Sequence, residues 1–260
     1  MTGSLFQRVL LTNDDGIDAP GLAVLQEVAS QLSDDVWVVA PSQDQSGISH
    51  ALSLHDPLRV HQQGPRRFAV TGTPGDCVAI ATRHILRDAL PTLVLSGINR
   101  GANLGVETVF SGTVGAAMTA MLLGLPAIAL SQTFGNGRQV PWETARALAP
   151  EVIATLARQP LPEQACLNVN FPACKPEEAK PLKTTRQGRG FLRDIEVVTR
   201  DDMRRSAYHW LHLKRDHAGD DEGTETAAIA ANHVSVTPLS FGRTNTKMHD
   251  WLRKQGIGTA

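Results

Sequence analysis

The strongest constraint on the fold is an alternation between short aliphatic runs and segments whose apolar residues recur at helical spacing. Arg8-Val9-Leu10-Leu11 is the first run, and it ends in the polar, glycine-closed Thr12-Asn13-Asp14-Asp15-Gly16. After Pro20-Gly21, residues Leu22, Leu25, Val28, Ala29 and Leu32 follow a helical period, and Val36-Trp37-Val38-Val39-Ala40 is a second continuous apolar run. Strand, helix, buried strand is the sequence form of a βαβ unit, because parallel neighbours need a crossover and are covered on both faces. The pattern recurs: Phe68-Ala69-Val70, a helix near 76–88, Thr92-Leu93-Val94-Leu95, a helix near 112–123, Ala127-Ile128-Ala129-Leu130, a helix over 142–157 and Leu167-Asn168-Val169-Asn170. An α/β fold follows, with three layers around a mainly parallel sheet and right-handed crossovers.

From about residue 172 the texture changes. Pro172, Pro176 and Pro181 and the charged stretch 186–222 interrupt the alternation, which predicts an extension from the core over about 172–222. Thr224 to Ala231 reads as a short helix and Val234-Ser235-Val236-Thr237 as a strand returning to the sheet, ahead of a polar tail over about 240–260. The expectation is a single α/β domain over 1–260 with a C-terminal, strand-rich extension serving oligomer contacts.

With 260 residues, 42% of them hydrophobic, the chain can bury a large core without staples. Its 25 basic and 26 acidic residues leave a net charge of −1, so there is no electrostatic footprint for a nucleic-acid polymer or an acidic membrane. Any phosphate must be held locally. Cys77, Cys166 and Cys174 are odd in number and lack CxxC spacing; reduced thiols are expected. The apolar run near the N-terminus has a strand's length, short of a signal-peptide core or a membrane span, so a cytoplasmic location away from membranes is the expectation.

In open parallel sheets ligands bind beyond the carboxyl ends of the strands. Asn13, Asp14 and Asp15 stand after the first strand, Ser42 to Ser49 after the second, and Ser96-Gly97-Ile98-Asn99 through Gly105 after the strand at 92–95. Adjacent carboxylates in a water-poor cleft repel unless they share a proton or a cation. Oxygen donors without clustered His or Cys favour a hard ion, Mg²⁺ or Mn²⁺; the Ser46 hydroxyl and the Asn99 amide oxygen are neutral donors of the kind such an ion takes. Taken alone, Asp-Asp-Gly reads as a solvated turn; its place at the end of the first strand, with polar loops at the other strand ends, is what makes it a candidate site. Ser111-Gly112-Thr113-Val114 reads as a helix start with a hydroxyl N-cap and outward backbone N–H groups, an anion site by geometry and dipole.

Other reaction classes leave gaps. There is no GxxxxGK and no Gly-x-Ser-x-Gly, which removes a P-loop and weakens a serine hydrolase. Gly188-Arg189-Gly190 starts a dinucleotide fingerprint without its third glycine. His209 and His212 lie in an alternating stretch and read as strand-flank residues, and His55-Asp56 lies in a short β-like stretch without the companion histidines of helical metal phosphohydrolases.

Taken together, these motifs resemble the SurE survival-protein nucleotidases. The match rests on Asn13-Asp14-Asp15-Gly16 with Ala19-Pro20-Gly21, Val39-Ala40-Pro41 to Ser46-Gly47, Gly72-Thr73-Pro74 with Asp76-Cys77, and Ser96-Gly97-Ile98-Asn99 through Gly101, Asn103, Gly105 and Ser111-Gly112-Thr113-Val114, with Val234 to Leu239 as a late motif. The resemblance implies a Rossmann-like core and a metal-dependent phosphatase of nucleoside monophosphates (a 5'-nucleotidase), with other phosphate esters or short polyphosphate as further substrates. It implies one divalent ion per subunit on Asp14, Asp15, Ser46 and Asn99, and a homodimer or homotetramer whose C-terminal segments exchange between subunits. Thr119 stands where the family commonly has Glu, Phe110 where Tyr is frequent, and Glu225 at a usual Asp position.

The mechanism expected has the cation bridging phosphate and carboxylates, with Asn13 and the N–H groups of Ser111, Gly112 and Thr113 on the remaining oxygens. Metal-activated water is preferred as nucleophile over a carboxylate such as Asp14. Two other readings stay open: a non-catalytic nucleotide or phosphate sensor using the same cleft, and a sugar or nucleotide transferase.

Overall fold

The computed structural model describes residues 4–158, 161–162, 165–216 and 221–258. Residues 217–220 of the charged stretch and the last two of the tail lie outside the described residues. The strands are β1 (Val9–Thr12), β2 (Val36–Pro41), β3 (Val60–Gly64), β4 (Arg67–Val70), β5 (Leu93–Arg100), β6 (Ala127–Gln132), β7 (Cys166–Phe171), β8 (Lys180–Thr184), β9 (Leu192–Asp201), β10 (Ala207–Arg215) and β11 (His233–Leu239). The helices are α1 (Pro20–Ala29), α2 (Pro74–Ile80), α3 (Gly112–Leu122), α4 (Trp142–Leu156), α5 (Glu225–Ala230) and α6 (Thr246–Lys254).

The main sheet runs β3-β4-β2-β1-β5-β6-β7-β11-β8. Neighbours from β4 to β7 are all parallel, while β3 pairs antiparallel with β4 and β11 antiparallel with β7. From β1 the chain winds outward through β2 to β4, then returns to lay β5 on the other flank of β1. The strand order therefore reverses between β1 and β5, which opens a crevice at their carboxyl ends.

Side-chain alternation along the strands splits the core into two layers. Val9 and Leu11 face α1 and α4 with Leu22, Leu25, Leu93, Leu95 and Ile153, whereas Leu10 faces α2 and α3 with Val39, Val94, Val114 and Met121. These are the three layers that the alternation predicts. Helix α3 is buried from Gly112 to Met121, and its small residues allow that close seating. Among the described residues no helix is long and apolar enough to cross a membrane.

Several elements differ from the sequence expectation. The helix expected near 76–88 begins at Pro74, because Thr73 and Asp76 form a reciprocal capping box, and its α-helical part ends at Ile80 before a π-helical turn over Ala81–Ile85. Strand β5 continues through Asn99, where a loop was expected. Inside the predicted extension, β8 joins the main sheet beside β11, and among the described residues β9 and β10 form a separate two-stranded sheet. The polar tail contains α6, capped by Asn245 and with no buried residue. His55 and Asp56 lie in a bend outside any strand.

Candidate active site

At the end of β1 the chain turns through Asn13 to Gly16. The Asn13 amide nitrogen donates to the Gly16 carbonyl at 2.7 Å, which fixes the amide so that Oδ1 is its open end, buried without a protein partner among the described residues. Asp14 is 4% exposed. Its carboxylate accepts a 2.5 Å hydrogen bond from the Thr113 hydroxyl. Burial pushes Asp14 up to about 6; the Thr113 bond opposes the shift and the neighbouring Asp15 charge adds to it. Asp15, half-buried, is also raised by burial, against the opposing backbone N–H and charge of Arg100 and with a smaller push from Asp44.

The two distant loops reach this pair through the backbone. Gln45 N–H donates to the Asp14 carbonyl at 2.7 Å, which brings the Ser46 loop against it. Asp44 Oδ1 accepts from both the N–H (2.8 Å) and the hydroxyl (2.6 Å) of Ser46; a hydroxyl that donates in this way keeps its lone pairs for a cation. On the other flank, Arg100 N–H donates to Asp15 Oδ2 at 3.2 Å. The β5–β6 register shifts between Ser96 and Asn99, and such an irregularity re-aims side chains. Asn99 donates through its amide nitrogen to the Gly101 carbonyl at 2.9 Å, so the amide oxygen is not engaged by that turn.

Helix α3 closes the third side. Ser111 caps it, its hydroxyl accepting from Val114 N–H at 3.1 Å, while its own N–H donates to the Thr108 carbonyl. That narrows the expected anion site: Ser111 is engaged at both ends, and Thr113 turns both its hydroxyl and its backbone N–H toward the Asp14 carboxylate, so the Gly112 N–H is the group of the first turn that the cap leaves. Gly112 must be glycine, because a Cβ there would lie 2.8 Å from Asp14 Cβ and 3.1 Å from its Oδ2.

Some supporting residues escape sequence reading. Asn103 donates to the Asn170 side chain at 2.9 Å and accepts from Asn168 at 2.8 Å, which pins the loop after Asn99 to β7; only the adjacency of β5, β6 and β7 brings them together. Asp44, two residues before Ser46, is a legible Asx-turn signal. Thr119 donates to the Gly115 carbonyl at 2.9 Å and therefore accepts from His50 Nε2 at 2.8 Å, holding the loop after Ser46 to α3. Burial, then the Arg243 charge, lower the His50 pKa.

Among the described residues no group of three or more His, Cys, Asp or Glu is positioned to hold a metal. The candidate donors are instead two carboxylates, Asp14 and Asp15, with the hydroxyl of Ser46 and the amide oxygen of Asn99 on neighbouring loops. Two carboxyls both raised by burial and the orphaned Asn13 oxygen fit a hard cation with its water, and they fit zinc or a soft ion poorly. A family model described as Survival protein SurE matches residues 9–194.

The chain belongs to the SurE family.

Among SurE-family proteins it is 61% identical over 252 residues to 5'-nucleotidase SurE 1 of Burkholderia lata, covering 97% of each chain. It is 52% identical over 242 residues to 5'-nucleotidase SurE of a Bradyrhizobium species, covering 92% of this chain and 95% of that one. The crystal structure of the SurE protein from Aquifex aeolicus superposes with a TM-score of 0.81 at 35% identity, over 96% of this chain and 99% of that one. The SurE fold thus extends through the late strand β11.

Proposed function

We propose that this SurE-family protein is a 5'-nucleotidase: it hydrolyses nucleoside 5'-monophosphates to nucleoside and orthophosphate in the crevice between β1 and β5. One observation carries the reading, namely the contact of Asp14 with Thr113 at the N-terminus of α3. A group that gathers cations and a helix end that gathers anions meet there, as phosphoryl transfer requires. The names borne by the relatives support the substrate class.

Asp14, Asp15, Ser46 and Asn99 would hold one divalent ion, Mg²⁺ or Mn²⁺. When bound, it neutralises charge on the phosphoryl oxygens and acidifies a water. The Gly112 N–H at the start of α3, with the helix dipole behind it, binds a phosphoryl oxygen and orients the phosphorus for in-line attack, while Thr113 holds Asp14 beside it. Asn13 differs from the expected role as an oxygen-holding donor. With its nitrogen on Gly16, the amide offers an acceptor, suited to receive a hydrogen bond from the attacking water and align it. The Thr113 hydroxyl bond favours the ionised form of Asp14 against the burial that raises its pKa.

We also propose that the protein forms a homodimer or homotetramer through β9–β10 and α6. Val197, Trp210 and Leu211 on the hairpin and Met248 and Trp251 on α6 are each more than half exposed, a density of apolar surface typical of an interface.

Purified protein assayed with several nucleoside monophosphates and Mn²⁺ or Mg²⁺ tests the activity. Release of phosphate that stops with a chelator and falls at least about a hundredfold in Asp14→Ala and Asp15→Ala supports the site. Nucleotide binding without release of phosphate would favour a sensor instead.

A further inference from the structure

The predicted extension does more than lie beside the core. Glu225, the first residue of α5, is 1% exposed, yet no cation pairs with it in a described ion pair. Its two carboxylate oxygens are taken by backbone: Gly105 N–H donates to Oε1 at 2.6 Å and Gly188 N–H to Oε2 at 2.8 Å. One side chain thereby bridges the loop that leads to α3 and the segment that leads into β9. The bridge is reinforced by a parallel contact between Arg186 and Thr224 and by Val106 N–H donating to the Arg189 carbonyl. Gly105 sits at φ +56°, and a Cβ on it would fall 2.2 Å from Gly190 N, so the two segments touch through bare backbone.

From Gly105 a short chain of hydrogen bonds runs to the anion-binding end of α3. The Gly105 carbonyl accepts from the Thr108 hydroxyl at 2.8 Å and from Gln187 Nε2 at 2.7 Å. Gln187 Nε2 also donates to Thr108 Oγ1 at 2.7 Å. The Thr108 carbonyl then accepts from Ser111 N–H at 3.3 Å, and Ser111 caps the helix whose first turn is read above as the anion site. Every turn of Gly105–Phe110 is thus hung from Glu225 at one end and attached to the N-cap at the other.

We infer that Glu225 is a positioning residue for phosphate: through Gly105 and Thr108 it sets where the N-terminus of α3 stands relative to Asp14. The inference rests on the anion-site reading above. It makes a distinction that a general structural role does not, because the clamp acts on the segment that leads into α3. Ser46 itself is fixed by Asp44 and by the Gln45 bond to Asp14, and the Asn99 turn by its own bond to Gly101 and by Arg100 N–H on Asp15. The Ser46 loop meets the clamped segment further on, where Ser49 donates to the Val109 and Phe110 carbonyls. Loss of the clamp should weaken phosphate and leave cation binding alone. Gln in place of Glu keeps the shape but serves only one of the two N–H donors; Asp keeps the charge on a chain one methylene shorter.

The test compares Glu225→Gln, Glu225→Asp and Gln187→Met with the unaltered protein. Four quantities are read: orthophosphate affinity by calorimetry in the presence of Mn²⁺, KM for a nucleoside monophosphate, the Mn²⁺ concentration for half-activation, and Tm. Expected is an about tenfold loss of orthophosphate affinity and an about tenfold rise in KM for Glu225→Gln, smaller changes in the same directions for Glu225→Asp and for Gln187→Met, and an unchanged Mn²⁺ requirement. Gln187→Met alters an exposed side chain and keeps the measurement open should the Glu225 variants fold poorly. Phosphate affinity within about twofold of the unaltered protein in all three variants, or a Mn²⁺ requirement that moves as far as KM, overturns the inference. If the unaltered protein binds no orthophosphate the inference also falls. If it binds orthophosphate but turns over no nucleotide, the nucleotidase reading fails alone, and the affinities still decide the role of Glu225.

Discussion

Asp14 is the residue where burial, charge and geometry act together. Its folded pKa of about 6 lies above the ordinary 3.8, so without a cation the folded protein keeps a proton that the unfolded chain releases. The folded state binds more protons across that window. The stability this residue contributes is therefore full below about pH 4 and lost as pH rises through about 6. A divalent ion competes with the same proton, so Mn²⁺ should raise Tm more at about pH 7.5 than at about pH 5.5; equal gains at the two pH values would contradict the assignment. Thr113→Val removes the hydrogen bond that holds Asp14 down. The pH midpoint of Mn²⁺-activated turnover should then move upward, and a midpoint that stays put would show that Thr113 does not tune the carboxylate. Gly112→Ala drives a methyl into Asp14 and should cost about 1–3 kcal/mol of stability by thermal melting along with most activity. At this scale the sequence is informative about chemistry but not about partners. Asp14-Asp15 and Ser111-Gly112-Thr113 are visible as motifs, whereas the hydrogen bond from Thr113 to Asp14 joins residues 99 apart in the chain. The engaged ends of Asn13 and Ser111 likewise depend on which carbonyl folding brings within reach.

Elements whose propensity and burial agree are the ones read correctly. β1, β2, β6 and β7 are aliphatic because both faces of a parallel sheet are covered, and α1 and α4 carry one apolar stripe for the layer beneath them. Elements without a buried face are missed. Val60-His61-Gln62-Gln63-Gly64 is a polar edge strand exposed along nearly its whole length, so it lacks the hydrophobic period by which sequence reveals structure. Helix α6 does carry an apolar stripe through Met248 and Trp251, but over one short helix in a polar tail and with nothing buried beneath it. The length of β5 is likewise a tertiary result: residues Ser96 to Arg100 look like a loop by composition, but β6 continues alongside and pairs with Asn99 and Arg100. Helix α2 gives a direct test of local control. Thr73 caps it and also donates to the Ala51 carbonyl at 2.7 Å, so Thr73→Ala should lower stability by about 1 kcal/mol or somewhat more, a fall in Tm of ~2–4 °C for each kcal/mol at this size. A larger loss of activity than of stability would show that the contact to Ala51 also orders the loop that carries Ser46.

At the scale of the molecule, the hairpin β9–β10 and helix α6 extend apolar side chains that the monomer does not cover. If a second copy covers them, light scattering should give a multiple of 28.0 kDa, and Trp210→Glu with Leu211→Glu should shift the protein toward smaller species while leaving the core melting transition in place. A monodisperse monomer before mutation would refute the assembly. The crevice itself is also a whole-molecule property. Reversal of strand order between β1 and β5 brings Asp14 and Asp15 beside Arg100 and places the Ser46 loop on the opposite side, although these segments are separated by tens of residues. The sequence by itself determined the layers, the parallel sheet and the chemical types available at the strand ends, because periodicity and local residue chemistry are carried by neighbours in the chain. Tertiary structure alone decided which end of Asn13 is open, which ends of Ser111 are engaged, and that Glu225 ties the extension at Gly188 to the segment leading into α3. Each of these depends on a hydrogen bond between distant segments, and no local pattern encodes the partner.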